Sequence, residues 1–281
     1  MKGLVLSITA GQGHNQTAMV ISKRFNECGV ECKYLDVYKF INPILSDSVN
    51  KIYLMSTKAI PKIYGGVYRM CEKRGVQSGA GIHGLNRITN SVLSRSLIKL
   101  IQKEKPDFII CTHIFAALLV TYISSIERLN AKTIGVITDF TIHPYWEDSL
   151  LDYYIIANER LTIQGIKKGF PENKFLPLGI PIGTKFSRKI EKSKAKEILN
   201  LHSKHTILVM SGSMGFGAVY KEIEELDKLD MDFEIVSVSG NNKKLKTKID
   251  SMETRKKIYS YGYINNVDVF MDACDCIITK P

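Results

Sequence analysis

The sequence predicts an α/β protein built from two consecutive doubly wound domains, each with a parallel sheet. Three observations carry that prediction. Strand-like and helix-like patterns alternate along all 281 residues. Two glycine-rich turns, Gly11-Gln-Gly-His14 and Ser211-Gly-Ser-Met-Gly-Phe-Gly217, each follow an apolar, β-rich run and precede a helical pattern. Between them Pro177-Leu-Gly-Ile-Pro-Ile-Gly183 shows little periodicity and reads as a linker. The expected domains are 1–183 and 184–281.

Each element has a local reason. Gly3 to Thr9 is a short, β-rich apolar run, the pattern of a strand buried on both faces. Asn15 to Cys28 places Ala18, Ile21, Phe25 and Cys28 at helical spacing. Val30 to Asp36 is a second strand. A basic stretch broken by Pro43 and Pro61 follows, and a glycine-rich loop (Gly75, Gly79, Gly81, Gly84) leads into a helix ending near Lys105. Pro106 opens a strand from Asp107 to Thr112, then come a helix (Ile114 to Leu129) and a strand (Lys132 to Thr138). Asp152 to Ala157 is a strand and Arg160 to Gly169 a short helix.

Beyond the linker the alternation restarts. Helices are expected over Lys192 to Asn200, from the glycine loop to Leu229, over Lys243 to Met252 and over Asn265 to Ala273. Strands are expected over Thr206 to Met210, Phe233 to Ser239, Lys257 to Tyr261 and Cys274 to Thr279. A final strand followed only by Lys280-Pro281 leaves a parallel edge bare, so the second domain is expected to be incomplete.

Composition narrows the function classes. Hydrophobic residues make up 44% and charged residues 24%, as in ordinary globular proteins. The best apolar run, Ile114 to Ile123, is too short to span a bilayer. The N-terminal run meets Gly-Gln-Gly-His rather than a cleavage site, so it reads as a strand and not a signal peptide. Six cysteines show neither a C-x-x-C pair nor ligand spacing with histidine, and Cys111, Cys274 and Cys276 lie in apolar runs. No metal site is expected, and a reducing compartment suits them.

The net charge of +11 is concentrated: residues 39 to 105 hold twelve Lys/Arg against three acids, or +9. Aromatic and aliphatic residues stand between those charges, a pattern suited to an anionic membrane surface. Lys58, Lys62, Tyr64, Tyr68 and Arg69 are its candidate contacts. A solvated helix face is the plainer reading, and no nucleic-acid module accompanies the charge.

At the first glycine turn, backbone N–H groups can approach an anion or a sugar, and His14 is placed to handle a proton. The turn lacks the third glycine of the dinucleotide fingerprint and has no Walker lysine. On the motif alone, His14 reads equally well as an ordinary residue of a first helical turn.

Five segments together resemble one family: Ser7-Ile-Thr-Ala-Gly-Gln-Gly-His-Asn-Gln-Thr-Ala18, Val136-Ile-Thr-Asp-Phe-Thr-Ile-His-Pro-Tyr-Trp146, Leu178-Gly-Ile-Pro181, the 211–217 loop and Gly262-Tyr-Ile264. In order and spacing the chain resembles the lipid glycosyltransferases that include plant monogalactosyldiacylglycerol synthase and bacterial processive diacylglycerol glucosyltransferases. It is more distantly similar to the peptidoglycan N-acetylglucosaminyltransferase. The resemblance implies a GT-B fold, with a lipid acceptor on the first domain and a nucleotide sugar on the second. It also implies an inverting reaction that needs no metal. Gln12 stands where the plant enzymes often have glycine, and the family's Gly-Gly-x-Thr-x-x-Glu segment and C-terminal helix would fall beyond Pro281.

Roles follow as expectations. An inverting transfer needs a base for the acceptor hydroxyl, and His14 is the candidate. Gly11, Gly13, Asp139, His143 and Trp146 are expected to hold the acceptor, the last three as a polar–aromatic cluster after a buried strand. Asp139 as a cap and Trp146 as a core residue is the competing reading. Ser211, Gly212, Gly215, Gly217, Gly262, Tyr263 and Ile264 are expected to hold the donor. His113 also ends a strand but stays outside the expected site. The expected protein is a peripheral enzyme on the cytoplasmic face of the cell membrane. It moves a hexose from UDP-glucose or UDP-galactose to diacylglycerol without a cofactor. The alternatives are a polyprenyl-pyrophosphate-linked acceptor, a UDP-sugar epimerase, and an inactive lipid-binding fragment.

Overall fold

Parallel pairing organises both halves of the chain. The computed structural model describes residues 1–9, 13–41, 81–202, 205–212, 215 and 217–279, with backbone alone for 81–92. It divides into two compact units, Met1–Ile182 and Gly183–Pro281.

In the first unit, strands β1 (Lys2–Ser7), β2 (Glu31–Asp36), β3 (Phe108–Cys111), β4 (Lys132–Val136), β5 (Tyr153–Ile155) and β6 (Phe175–Leu176) form one sheet. Its order is β2-β1-β3-β4-β5-β6, with every neighbouring pair parallel. Helices α1 (Gly13–Glu27), α2 (Val37–Ile41), α3 (Gly81–Glu104), α4 (Ile114–Ile126) and α5 (Arg160–Lys167) supply the crossovers. Side chains of a strand alternate between faces. Leu4 and Leu6 therefore join one core with Ile109, Leu97 and Leu119, while Val5 joins the opposite core with Ala18, Ile21 and Ile110. Burial on both faces is why β1 reads as a continuous apolar run.

Helix α1 stops because Gly29 takes φ +78. Its N–H donates to Asn26 O at 3.0 Å, and Val30 N donates to Phe25 O at 2.9 Å, the paired bonds of a Schellman cap. That turn releases the chain directly into β2.

The second unit holds β7 (Thr206–Met210), β8 (Glu234–Val238), β9 (Ile258–Tyr261) and β10 (Cys276–Thr279) in the order β10-β7-β8-β9, again all parallel. Helices α6 (Lys192–Leu199), α7 (Val219–Asp227), α8 (Lys243–Asp250) and α9 (Val267–Ala273) accompany them. One core gathers Leu208, Val236, Val238 and Phe270, the other Val209, Ile223, Ile235 and Ile249.

Several expectations are corrected. Gly81 and Gly84 belong to α3 and not to a loop; Gly75 and Gly79 lie outside the described residues. The 3-10 turn Pro144–Asp148 and the two-residue β6 were not anticipated. The last strand begins at Cys276, two residues later than expected. Before it, Cys274 is buried and Asp275 accepts from Thr206 N at 2.9 Å, whereas Cys276 itself is exposed. Among the described residues, no helix is long and apolar enough to cross a membrane.

Candidate active site

In the first sheet the chain leaves β1 toward β2 on one side and β3 toward β4 on the other. Between β1 and β3 the strand order reverses, and loops at the carboxyl ends of these strands diverge to leave a crevice. His14, the second residue of α1, enters it half-buried. Its Nδ1 lies 2.9 Å from the backbone oxygen of Thr112, just past β3, and 2.9 Å from Thr138 Oγ1, just past β4. Thr112 Oγ1 in turn donates to the His14 carbonyl at 3.0 Å.

These contacts fix a tautomer. A carbonyl oxygen only accepts, so Nδ1 carries a proton, and in the neutral ring the lone pair is then on Nε2. A neutral imidazole held in this way is equipped to take a proton at Nε2, with the Thr112 carbonyl in the orienting role that a carboxylate fills elsewhere.

His113 packs edge-on against His14, ring centroids 4.7 Å apart. It is the N-cap of α4, its Nδ1 accepting from Phe115 N at 3.2 Å. Burial pushes its imidazole down to about 3, and His14 and His143 push the same way. His113 is therefore neutral, with its proton on Nε2. His143 repeats the arrangement, capping the 3-10 turn by accepting from Tyr145 N at 3.2 Å.

The entry to α1 is tied down separately. Asn15 Nδ2 donates to Thr9 Oγ1 at 2.8 Å, and Thr9 N donates to Asp36 Oδ2 at 3.1 Å. The Thr9 hydroxyl also bonds Asp36. Gly13 is exposed and has open space where a side chain would begin. Gly11 lies outside the described residues, as do Lys58, Lys62, Tyr64, Tyr68 and Arg69.

The expected Asp139–His143–Trp146 cluster does not form as a surface. Asp139 is exposed, but Trp146 is 3% exposed and lies in the first unit's core. Its indole meets Tyr154 edge-on at 6.2 Å and lies against Gly135, where a Cβ would come within 2.9 Å of the ring. Trp146 is a packing residue with no face left for an acceptor hydroxyl.

The second unit presents a different crevice, where the order reverses between β10 and β7. Gly212, Gly215 and Gly217, in the loop after β7, have φ of +74, +61 and +134. A Cβ on Gly215 would stand 2.0 Å from the Ser239 carbonyl, so only glycine fits there. Ser211, just past β7, and Ser239, just past β8, have buried hydroxyls without a hydrogen-bond partner among the described residues. Gly262, after β9, has room for a side chain: a Cβ there would lie 3.8 Å from Gly240 O, an ordinary contact. Tyr263 is exposed, and Ile264 packs on the second unit's core. Among the described residues no group of three or more His, Cys, Asp or Glu could hold a metal ion.

The family model for monogalactosyldiacylglycerol (MGDG) synthase matches residues 14–182. This chain belongs to the MGDG synthase family. That match begins at His14 and runs through Thr112, His113, Thr138 and His143. Over 292 aligned residues the chain is 28% identical to a processive diacylglycerol beta-glucosyltransferase of Bacillus pumilus, covering 100% of this chain and 72% of that protein. Among solved structures it resembles Anabaena HepE in complex with UDP (TM-score 0.58, 12% identity, 99% of this chain and 73% of that one). It also resembles Acinetobacter baumannii MurG (TM-score 0.57, 12% identity, 99% and 71%). These likenesses establish the GT-B type of α/β fold, and the family makes the chain a lipid glycosyltransferase.

Sequence reasoning missed Thr112 and Thr138 and set His113 aside. The one signal available was position: each stands at or just past a strand end, where open α/β sheets gather their sites.

Proposed function

We propose that this enzyme transfers a hexose, glucose or galactose, from a UDP-sugar to the hydroxyl of diacylglycerol, with inversion and with His14 as general base. The observation that carries the reading is the fixed tautomer of His14, which directs a free Nε2 lone pair away from Thr112 and Thr138. The B. pumilus relative, a processive diacylglycerol beta-glucosyltransferase by name, supports diacylglycerol as acceptor and glucose as the first donor to test. The HepE structure with UDP supports a uridine nucleotide on this fold.

In this reading Nε2 takes the acceptor proton as the hydroxyl oxygen bonds to the anomeric carbon. The bond from that carbon to the diphosphate breaks on the opposite face, and UDP leaves with the electron pair. Imidazolium charge on His14 is shared through Nδ1–H with the Thr112 carbonyl. On the donor side, the backbone at Gly212, Gly215 and Gly217 and the start of α7 are assigned to the diphosphate, where a helix N-terminus favours negative charge. Ser211 and Ser239 offer buried hydroxyls to the same ligand. Gly262, Tyr263 and Ile264 are assigned to the base of the nucleotide, and Gly11, Gly13, Asp139 and His143 to the acceptor. The basic 39–105 region docks the enzyme peripherally on anionic lipid at the cytoplasmic face.

The test is sugar transfer from radiolabelled UDP-glucose and UDP-galactose to diacylglycerol in anionic micelles, beside a polyprenyl-pyrophosphate-linked acceptor. Glycosylated diacylglycerol is expected, and its donor preference names the sugar. Label in the polyprenyl acceptor alone replaces the acceptor assignment. Charge reversal at Lys58, Lys62 and Arg69 is expected to weaken binding to anionic vesicles; unchanged binding removes the docking role.

A further inference from the structure

The donor-loop assignment leaves open what keeps that loop in shape. Asn242 is the N-cap of α8, in the turn between β8 and α8. Its side-chain Oδ1 accepts from Leu245 N at 3.1 Å, and its Nδ2 donates to Gly215 O at 2.9 Å. Those two partners leave no ambiguity in the amide's orientation, because one is an N–H and the other a carbonyl. Its backbone is engaged as well: Asn242 N donates to Ser239 O at 3.1 Å and Lys246 N donates to Asn242 O at 3.0 Å.

Gly215 is pressed onto this same turn. A Cβ there would lie 2.0 Å from Ser239 O and 2.7 Å from Asn242 Cβ. Its N–H donates to Gly212 O at 3.1 Å, closing a turn inside the loop. The loop after β7 is thus fastened to the turn after β8 by one side chain, beside the buried hydroxyls of Ser211 and Ser239.

We propose that Asn242 is a positioning residue for the sugar donor: its amide clasps Gly215, in the loop after β7, to the β8–α8 turn and sets the backbone at Gly215 for the nucleotide diphosphate. The inference rests on the donor reading of that loop. Only a short side chain with both an acceptor and a donor can do this. Aspartate caps a helix equally well but has no N–H to offer Gly215. Serine caps but does not reach both groups, and alanine does neither.

The experiment compares wild type, Asn242→Asp and Asn242→Ala in the full chain. UDP binding is read by calorimetry, and KM for UDP-glucose, KM for diacylglycerol, kcat and Tm are measured alongside. Asn242→Asp keeps the cap of α8 and loses the clasp. It is expected to weaken UDP and raise the UDP-glucose KM by about fivefold to tenfold, the usual effect of one lost hydrogen bond. Acceptor KM stays put and kcat changes by less than about twofold if the bond acts mainly on donor binding. Asn242→Ala shows the same KM rise together with a lower Tm, because it also loses the cap. Wild-type UDP affinity and donor KM in Asn242→Asp overturn the clasp. So does a fall in Tm and kcat with donor KM unmoved, the mark of a merely structural residue. A wild-type protein that binds no UDP overturns the donor reading itself, and the clasp with it.

Discussion

The two crevices share a topology and differ in what lines them. Each lies where a parallel sheet reverses its strand order, beside the first strand of its unit. The first is lined by titratable side chains: His14, His113 and His143, each with a ring nitrogen committed to a backbone or hydroxyl partner. The second is lined by main chain and hydroxyls: glycines at positive φ, with Ser211 and Ser239 buried behind them. One geometry therefore serves two chemistries. Imidazoles with fixed tautomers suit a proton transfer, and close backbone approach suits an anionic phosphate ester.

That contrast can be broken from either side. The largest effect is expected from His14→Ala, which removes the proposed base. Its kcat should fall at least about a hundredfold with UDP-glucose KM near wild type; a donor KM effect of similar size would erase the division of labour. Gly215→Ala is the counterpart in the second unit. A side chain at φ +61 facing the Ser239 carbonyl costs about 1–3 kcal/mol of strain before the clash is counted. It should lower the second unit's midpoint in urea and raise donor KM, leaving acceptor KM alone.

A smaller effect isolates the orienting bonds. Thr138→Val deletes one of two partners of His14 Nδ1 while the Thr112 carbonyl still sets the tautomer. A loss of about fivefold in kcat is expected, from about 1 kcal/mol for one hydrogen bond, with the acid limb of the pH–rate profile displaced. The last effect is on acid stability and leaves the rate at neutral pH least changed. His113 has its folded pKa held at about 3, below the unfolded value of 6.5. Between those values the unfolded chain binds a proton that the folded one refuses, so stability falls as pH drops through that window. His113→Asn keeps a capping side chain and should remove one proton from that dependence, up to about 1.4 kcal/mol per pH unit. Parallel stability curves for wild type and variant would show that His113 is not the group excluded from protonation.

How much of this was legible in the chain follows from burial and sequence distance. The central strands β1, β3 and β7 are covered on both faces, so their sequences are largely apolar runs and stand out. The two residues of β6 carry no such run. His14 was visible because a glycine turn announces it. Its partners were not: Thr112 and Thr138 stand 98 and 124 positions away, and one of them offers only a main-chain oxygen. Trp146 misled for a related reason. Neighbouring polar residues suggest a surface, whereas its burial depends on Gly135 and Tyr154, brought under it by the sheet.

The Thr112 carbonyl has a consequence for how this enzyme tolerates change. Because the group that orients the proposed base is main chain, every amino acid at position 112 carries it, and no point substitution there deletes it outright. What does place it is alignment. Leu6 sits opposite Cys111, and Thr112 N donates to Leu6 O at 3.0 Å, so β1 delivers the carbonyl to His14. A single-residue insertion or deletion within β3 would turn the carbonyl at this position toward the opposite neighbouring strand, away from His14. Inheritance is thus constrained here twice, by the length of the strand that places the oxygen and by the buried Thr112 hydroxyl that donates to the His14 carbonyl.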